Sequence, residues 1–317
     1  MGQSSIVSTA TKLIFRIPIT SSSQNEYIDL AQCLSVVNRR SYRQGMNYAI
    51  AGMEAFAVNA GRVSVSCVPT TWVADNATTK AFEYWKEQRA EVLEEQPSLK
   101  AKWSDFKIFM DATHSSAGVG ANLIPSDGVN DYHIGDWNAA EVVVPVFGAA
   151  QTSTGRSEEM LMHIVGDHTP PGLFDPLTTS SVSLIKAYSA SRGMPLAPDP
   201  APLGQFVTGF YNINSSSDEK SENIQENITY KNDNPPYDRL DYPGGDTNAP
   251  VTQFVDTMIV RNWGDAGNYS SDSTGAFVAP LGLLRVNLSD WGQQDEVSLV
   301  IDLVPGKYKG ILAERGL

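Results

Sequence analysis

Eight residues, Asn38-Arg39-Arg40-Ser41-Tyr42-Arg43-Gln44-Gly45, hold three arginines and a tyrosine in a chain whose formal net charge is -13. The planar guanidinium fork matches the oxygens of a phosphate, and a tyrosine ring offers a face on which an unpaired base can stack. Arg39, Arg40, Tyr42 and Arg43 therefore predict contacts to a polyanion that are independent of sequence and sensitive to salt. The arginines also have plainer uses: pairing with the acidic remainder, packing on an aromatic ring, or joining neighbouring subunits. Lys12 and Arg16 belong to the same set. In the first 50 residues these five cations meet only Glu26 and Asp29, a net +3, which leaves -16 for the rest. Such asymmetry suggests one face near a polyanion and the remainder in water.

Other residues with chemical potential form no recognisable reaction centre. There is no G-x-S-x-G elbow; Gly155-Arg156-Ser157-Glu158-Glu159 does not resemble one. His163 and His168 bracket Asp167, but a metal centre wants a further ligand, and the expectation is a strand histidine followed by a turn histidine. His114 and His133 stand alone and read as structural or solvated. Gly118-Val119-Gly120 lacks the strand and helix that a phosphate-binding loop needs. Asp233, Asp238, Asp241 and Asp246 offer oxygens to a hard ion such as calcium, yet prolines interrupt them and a solvated acidic loop is favoured. Paired glycosidase carboxylates are set by separation in space and stay open at this level.

The elements that must position these residues are mostly strands. Leu13, Phe15 and Ile17 alternate with Lys12, Ile14 and Arg16, which puts both cations on one face. Residues 48–58 read as a second strand, joined through Asn59-Ala60-Gly61 to a strand at 62–68 as a hairpin. Further strands are predicted at 106–110, 142–147, 159–165, 281–288 and 297–303. Helical spacing of Phe82, Trp85, Val92 and Leu93 predicts a helix over 78–95, ended by Pro97. A second helix is expected at 180–192, and residues 217–228 are a polar helix or a loop. Residues 194–204, with four prolines, and 231–251 read as linkers inside one long loop region, 194–251.

Composition agrees. Glycine (25) and proline (18) point to many turns and short strands, and 41% hydrophobic residues suffice for a core. The expected fold is all-β: a single jelly-roll sandwich spanning 1–317, with long loops, one or two inserted helices and a flexible segment at 1–11. Cys33 and Cys67 make no disulfide framework, and Cys67 reads as a buried strand thiol. No apolar run reaches the length of a membrane span, and Met1-Gly2-Gln3-Ser4-Ser5-Ile6 reads as neither a secretory leader nor a myristoylation signal.

Several stretches together carry a resemblance: residues 27–57, then Pro69-Thr70-Thr71-Trp72 leading into the 78–95 helix, then Leu99-Lys100-Ala101-Lys102-Trp103-Ser104-Asp105-Phe106-Lys107. Tyr242-Pro243-Gly244-Gly245-Asp246-Thr247-Asn248-Ala249-Pro250 and Ala279-Pro280-Leu281-Gly282-Leu283 extend it over roughly two-thirds of the chain. The chain resembles the capsid proteins of small circular single-stranded DNA viruses that encode a replication initiator. The resemblance implies a jelly roll whose copies form an icosahedral shell around the genome in the virion, with no enzymatic activity, no cofactor and no membrane. One departure matters: residues 1–11 hold no cation, where many such capsids carry an arginine-rich arm. Genome contact then falls to Lys12, Arg16, Arg39, Arg40, Tyr42 and Arg43. A carbohydrate-binding or glycoside-processing β-sandwich, motivated by six tryptophans and twelve tyrosines, and an attachment module are the alternatives.

Overall fold

A computed structural model describes residues 8–101, 105–147, 153–170, 175, 177–192, 252–261, 269–292 and 295–316. The chain is mostly β and divides into two compact units. Unit one comprises 1–68, 119–137 and 253–316, and unit two 69–118 and 138–252. The segment predicted as helix or loop at 217–228, both proline-rich linkers and Asp233, Asp238, Asp241 and Asp246 lie outside the described residues.

Unit one is a β-sandwich. One sheet runs β1 (Lys12–Pro18), β12 (Glu296–Leu303), β3 (Met46–Ala57) and β10 (Phe277–Ala279), with β9 (Ser270–Ser273) and β15 (Ala313–Arg315) also pairing with β3. The other runs β2 (Ser23–Asp29), β11 (Leu283–Ser289), β4 (Gly61–Cys67) and β8 (Gln253–Val260). Every pairing is antiparallel, and the pairs nest: β1 with β12, β2 with β11, β3 with β10, β4 with β8. Alternation does the work locally. In β1, Leu13, Phe15 and Ile17 are buried while Lys12, Ile14 and Arg16 face outward, as expected. Those residues share one core with Val63, Val65 and Cys67 of β4, Val286 and Leu288 of β11, and Leu299 and Ile301 of β12. Both cysteines are free and buried, and burial pushes the Cys67 thiol up to about 12.

The predicted 48–68 hairpin does not form. Its two strands exist, but β3 pairs within the first sheet and β4 within the second, so residues 58–60 carry the chain across the sandwich. Gly61 makes the crossing tight. A β-carbon there would sit 2.2 Å from the Trp291 ring, whose Nε1 donates to the Arg62 carbonyl at 3.0 Å. Several strands went unforeseen, β2, β8, β9, β10 and β15 among them. β2 (SQNEYID) is largely polar, and β8 breaks its alternation at a bulge opposite Val65 and Ser66. The helix α1 (Leu30–Asn38) was missed too; the Asp29 side chain caps it, accepting from Ala31 and Gln32 N–H.

Unit two packs α2 (Trp72–Glu95), α3 (Ala112–Ala117) and α4 (Leu184–Arg192) with β5 (Glu141–Phe147), β6 (Ser153–His163) and β7 (Ser181–Ser183). The Thr71 hydroxyl starts α2 six residues earlier than the apolar spacing suggested. Its buried face is Val73, Ala74, Ala77, Ala81 and Tyr84, whereas Val92 is exposed. Residues 106–110 are buried but not a strand; Phe109 makes a single bridge to His163. No helix among the described residues is long and apolar enough to cross a membrane.

Candidate polyanion-binding rim

The arginine-rich loop leaves α1 through Arg39, which holds the left-handed conformation (φ 52°, ψ 41°) usually given to glycine. Asp29 anchors the loop's base. It is buried, and beyond capping α1 its Oδ2 accepts from Gln44 Nε2 at 3.1 Å and Trp137 Nε1 at 3.2 Å. Burial pushes this carboxyl up to about 6 against the four donors.

A second segment meets the loop. Residues 305–311 form a tight hairpin, β13 (Pro305–Gly306) with β14 (Gly310–Ile311). Three tyrosines clamp the two together. The Tyr42 hydroxyl donates to the Lys309 carbonyl at 2.9 Å, Arg43 N–H donates to the Tyr308 hydroxyl at 3.1 Å, and the Tyr48 hydroxyl donates to the Arg43 carbonyl at 2.7 Å. Tyr42 and Tyr308 meet edge to face at 5.9 Å. Lys309 Nζ bonds the Ser41 carbonyl and lies 5.7 Å from the Tyr42 ring centre. Arg315 arrives on β15 opposite Met46, and Gly316 N–H donates to the Gly45 carbonyl at 3.1 Å. Thr9 completes the corner, accepting from Arg40 at 3.4 Å and donating to the Lys309 carbonyl at 3.3 Å.

Arg39, Arg40 and Arg43 are thereby joined by Lys307, Lys309 and Arg315, with Glu314 among them. Arg39, Arg43, Lys307, Lys309 and Arg315 are exposed, and Arg40 is half-buried. Among the described residues no ion pair ties up Arg39, Arg40 or Arg43. The three later cations escaped sequence reading because Lys309 lies 268 residues beyond Ser41.

The other predicted contacts fare differently. Tyr42 is fully buried, so its ring is a core clamp and not a platform for a base. Lys12 pairs with Asp302 across the β1–β12 ladder at 3.1 Å. Arg16 donates to the Gly128 carbonyl, and its charge helps hold the Asp127 carboxyl below its usual range, after the N–H groups of Asn130 and Val129. Both cations keep the outward face expected of them but have local partners of their own.

Elsewhere, His114, His163 and His168 are buried in unit two and His133 is exposed in unit one. Among the described residues no cluster of three or more His, Cys, Asp or Glu side chains could hold a metal ion. Comparison with models of protein families, with curated proteins and with solved structures finds no match to this chain.

Proposed function

We propose that this chain is a coat protein: a jelly-roll subunit that assembles into a closed shell around single-stranded DNA, with the basic rim turned to the genome. The nested strand order carries the reading. β1 pairs with β12, β2 with β11, β3 with β10 and β4 with β8, each pair in the opposite sheet from the pair before it, which is the order a long folded ribbon takes when it rolls into a jelly roll. That architecture serves capsids, lectins and cupins alike, so fold alone chooses no function. Three further observations support the coat protein. The inter-sheet core is filled by apolar side chains; the rim gathers exposed cations on a molecule whose formal net charge is -13; and the sequence resembles such capsids. Arg40 and Thr9 tie the N-terminal segment to this rim, where capsids of this kind carry their genome-binding arm.

Purified protein examined by size-exclusion chromatography and negative-stain electron microscopy is expected to form closed particles. A monomer that persists across salt and pH overturns the reading, a discrete trimer favours an attachment module, and a glycan-binding monomer favours the carbohydrate reading. Replacing Arg39, Arg40 and Arg43 by Ser is expected to leave particles intact while lowering their ultraviolet absorbance ratio; an unchanged ratio removes the genome contact from the rim.

A further inference from the structure

Unit two buries three histidines in one block: His114 in α3, His163 at the end of β6 and His168 in the turn that follows, with exposures of 1%, 0% and 2%. Two accept backbone hydrogen bonds through Nδ1. Met110 N–H donates to His114 and Ser183 N–H to His168, each at 3.1 Å. A donor aimed at a ring nitrogen requires a lone pair there, so both rings are neutral with the proton on Nε2. His163 Nε2 lies 2.8 Å from the Asp167 carbonyl, which can only accept; its Nδ1 is therefore a bare lone pair, buried and without a hydrogen-bond partner. The parallel ladder puts Ser183 beside His163, and the hydroxyls of Thr169, Ser181 and Ser183 are buried and unpartnered as well.

We propose that His114, His163 and His168 form an acid-release lock on unit two, fixing α3 to Met110 and the turn after β6 to β7 while neutral and letting that block open when protonated. Protonation at Nδ1 would set donor against donor at His114–Met110 and at His168–Ser183, and would bring like charges together at His163 and His168. The charged groups around the block are Asp111, which caps α3, and the Asp167–Lys186 pair between the turn and α4. Burial and then His168 pull His163 down to about 3, with Asp111 opposing, and burial pulls His168 down to about 4. Both lie below the ordinary value of 6.5, so the open form takes up protons first. The lock is at full strength above pH 6.5 and is lost as pH falls toward those two values. From about pH 7 to about pH 5 the opening equilibrium rises roughly 25-fold per histidine, on the order of several hundredfold for the two together.

Hydrogen exchange on the full-length protein tests this, after correction for the intrinsic pH dependence of exchange. The amides of Met110, Ser183 and the β6–β7 ladder are expected to lose several hundredfold protection by about pH 5, while β11 and β12 keep theirs. Unit two staying closed, or opening only together with the sandwich, overturns the lock. In the double variant His114→Asn/His168→Asn an amide oxygen replaces each Nδ1 as acceptor and does not titrate, so of the two depressed rings only His163 still responds to acid and the loss of protection should shrink to roughly 25-fold; an unchanged pH profile overturns the proposal. Should that variant already be open at neutral pH, the ring shifts of the unmodified protein decide: histidines that protonate near pH 6 with protection intact refute the lock.

Discussion

Arg39 and Lys309 hold backbone conformations that L-residues avoid. They are two of the four non-glycine residues with positive φ among those described, both at 52°, and both are cations of one rim. Glycine would relieve that strain, on the order of 1 kcal/mol, less the entropy that glycine itself loses on folding. Keeping a long cation there makes sense if its charge is used. Arg39→Gly is therefore expected to leave stability unchanged or slightly raised, while single-stranded DNA affinity falls and the slope of log affinity against log salt drops by about one phosphate contact. A fluorescence titration at several salt concentrations reads both. Equal affinity with lower stability would make Arg39 a purely structural cap. Tyr42 carries the opposite lesson: a residue type suited to stacking is spent on joining two segments of the core.

At the scale of elements, the rim depends on a hairpin that alternation could not reveal, because β13 and β14 are two residues each. Gly310 sets its position. Its φ is +99°, and a β-carbon there would come within 2.4 Å of the Thr9 hydroxyl. Gly310→Ala should displace the hairpin and weaken polyanion binding severalfold without removing a charge, at a cost of about 1–3 kcal/mol in the sandwich. Urea unfolding beside the binding titration checks this, and unaltered affinity would show that the hairpin does not shape the rim. β1, β3, β4, β11 and β12 were legible because each buries one face of a period-two pattern. That pattern says nothing about which sheet a strand joins, which is why β3 and β4 read as a hairpin. α1 lies just before the arginine-bearing stretch, and its signal rested on the Asp29 cap.

For the whole molecule, acid should act on the two units with opposite signs. Asp29 sits above its ordinary 3.8 in the fold, so the folded sandwich binds the extra proton and gains stability as pH falls from about 6 toward 4. The gain is at most about 3 kcal/mol. Unit two carries depressed histidines and weakens over the same range. Exchange or urea curves that follow β11 and β12 separately from β6 and β7 should diverge on acidification, and Asp29→Asn should flatten the sandwich's response. Parallel curves would mean that neither buried group governs its unit. A particle built from such subunits would keep its sandwich in acid while its inserted unit loosens.

Composition and alternation determined that this chain is β-rich, with an outward Lys12 and Arg16, a buried Cys67 and a basic loop at 38–45, because burial of one strand face and local charge are properties of neighbours in sequence. The division into two units, the nesting of β1 with β12, the burial of Tyr42 and the arrival of Lys307, Lys309 and Arg315 beside Arg39 were decided only in three dimensions. Each of these joins residues far apart along the chain. Such pairings are chosen by the shared core, and no local pattern encodes them.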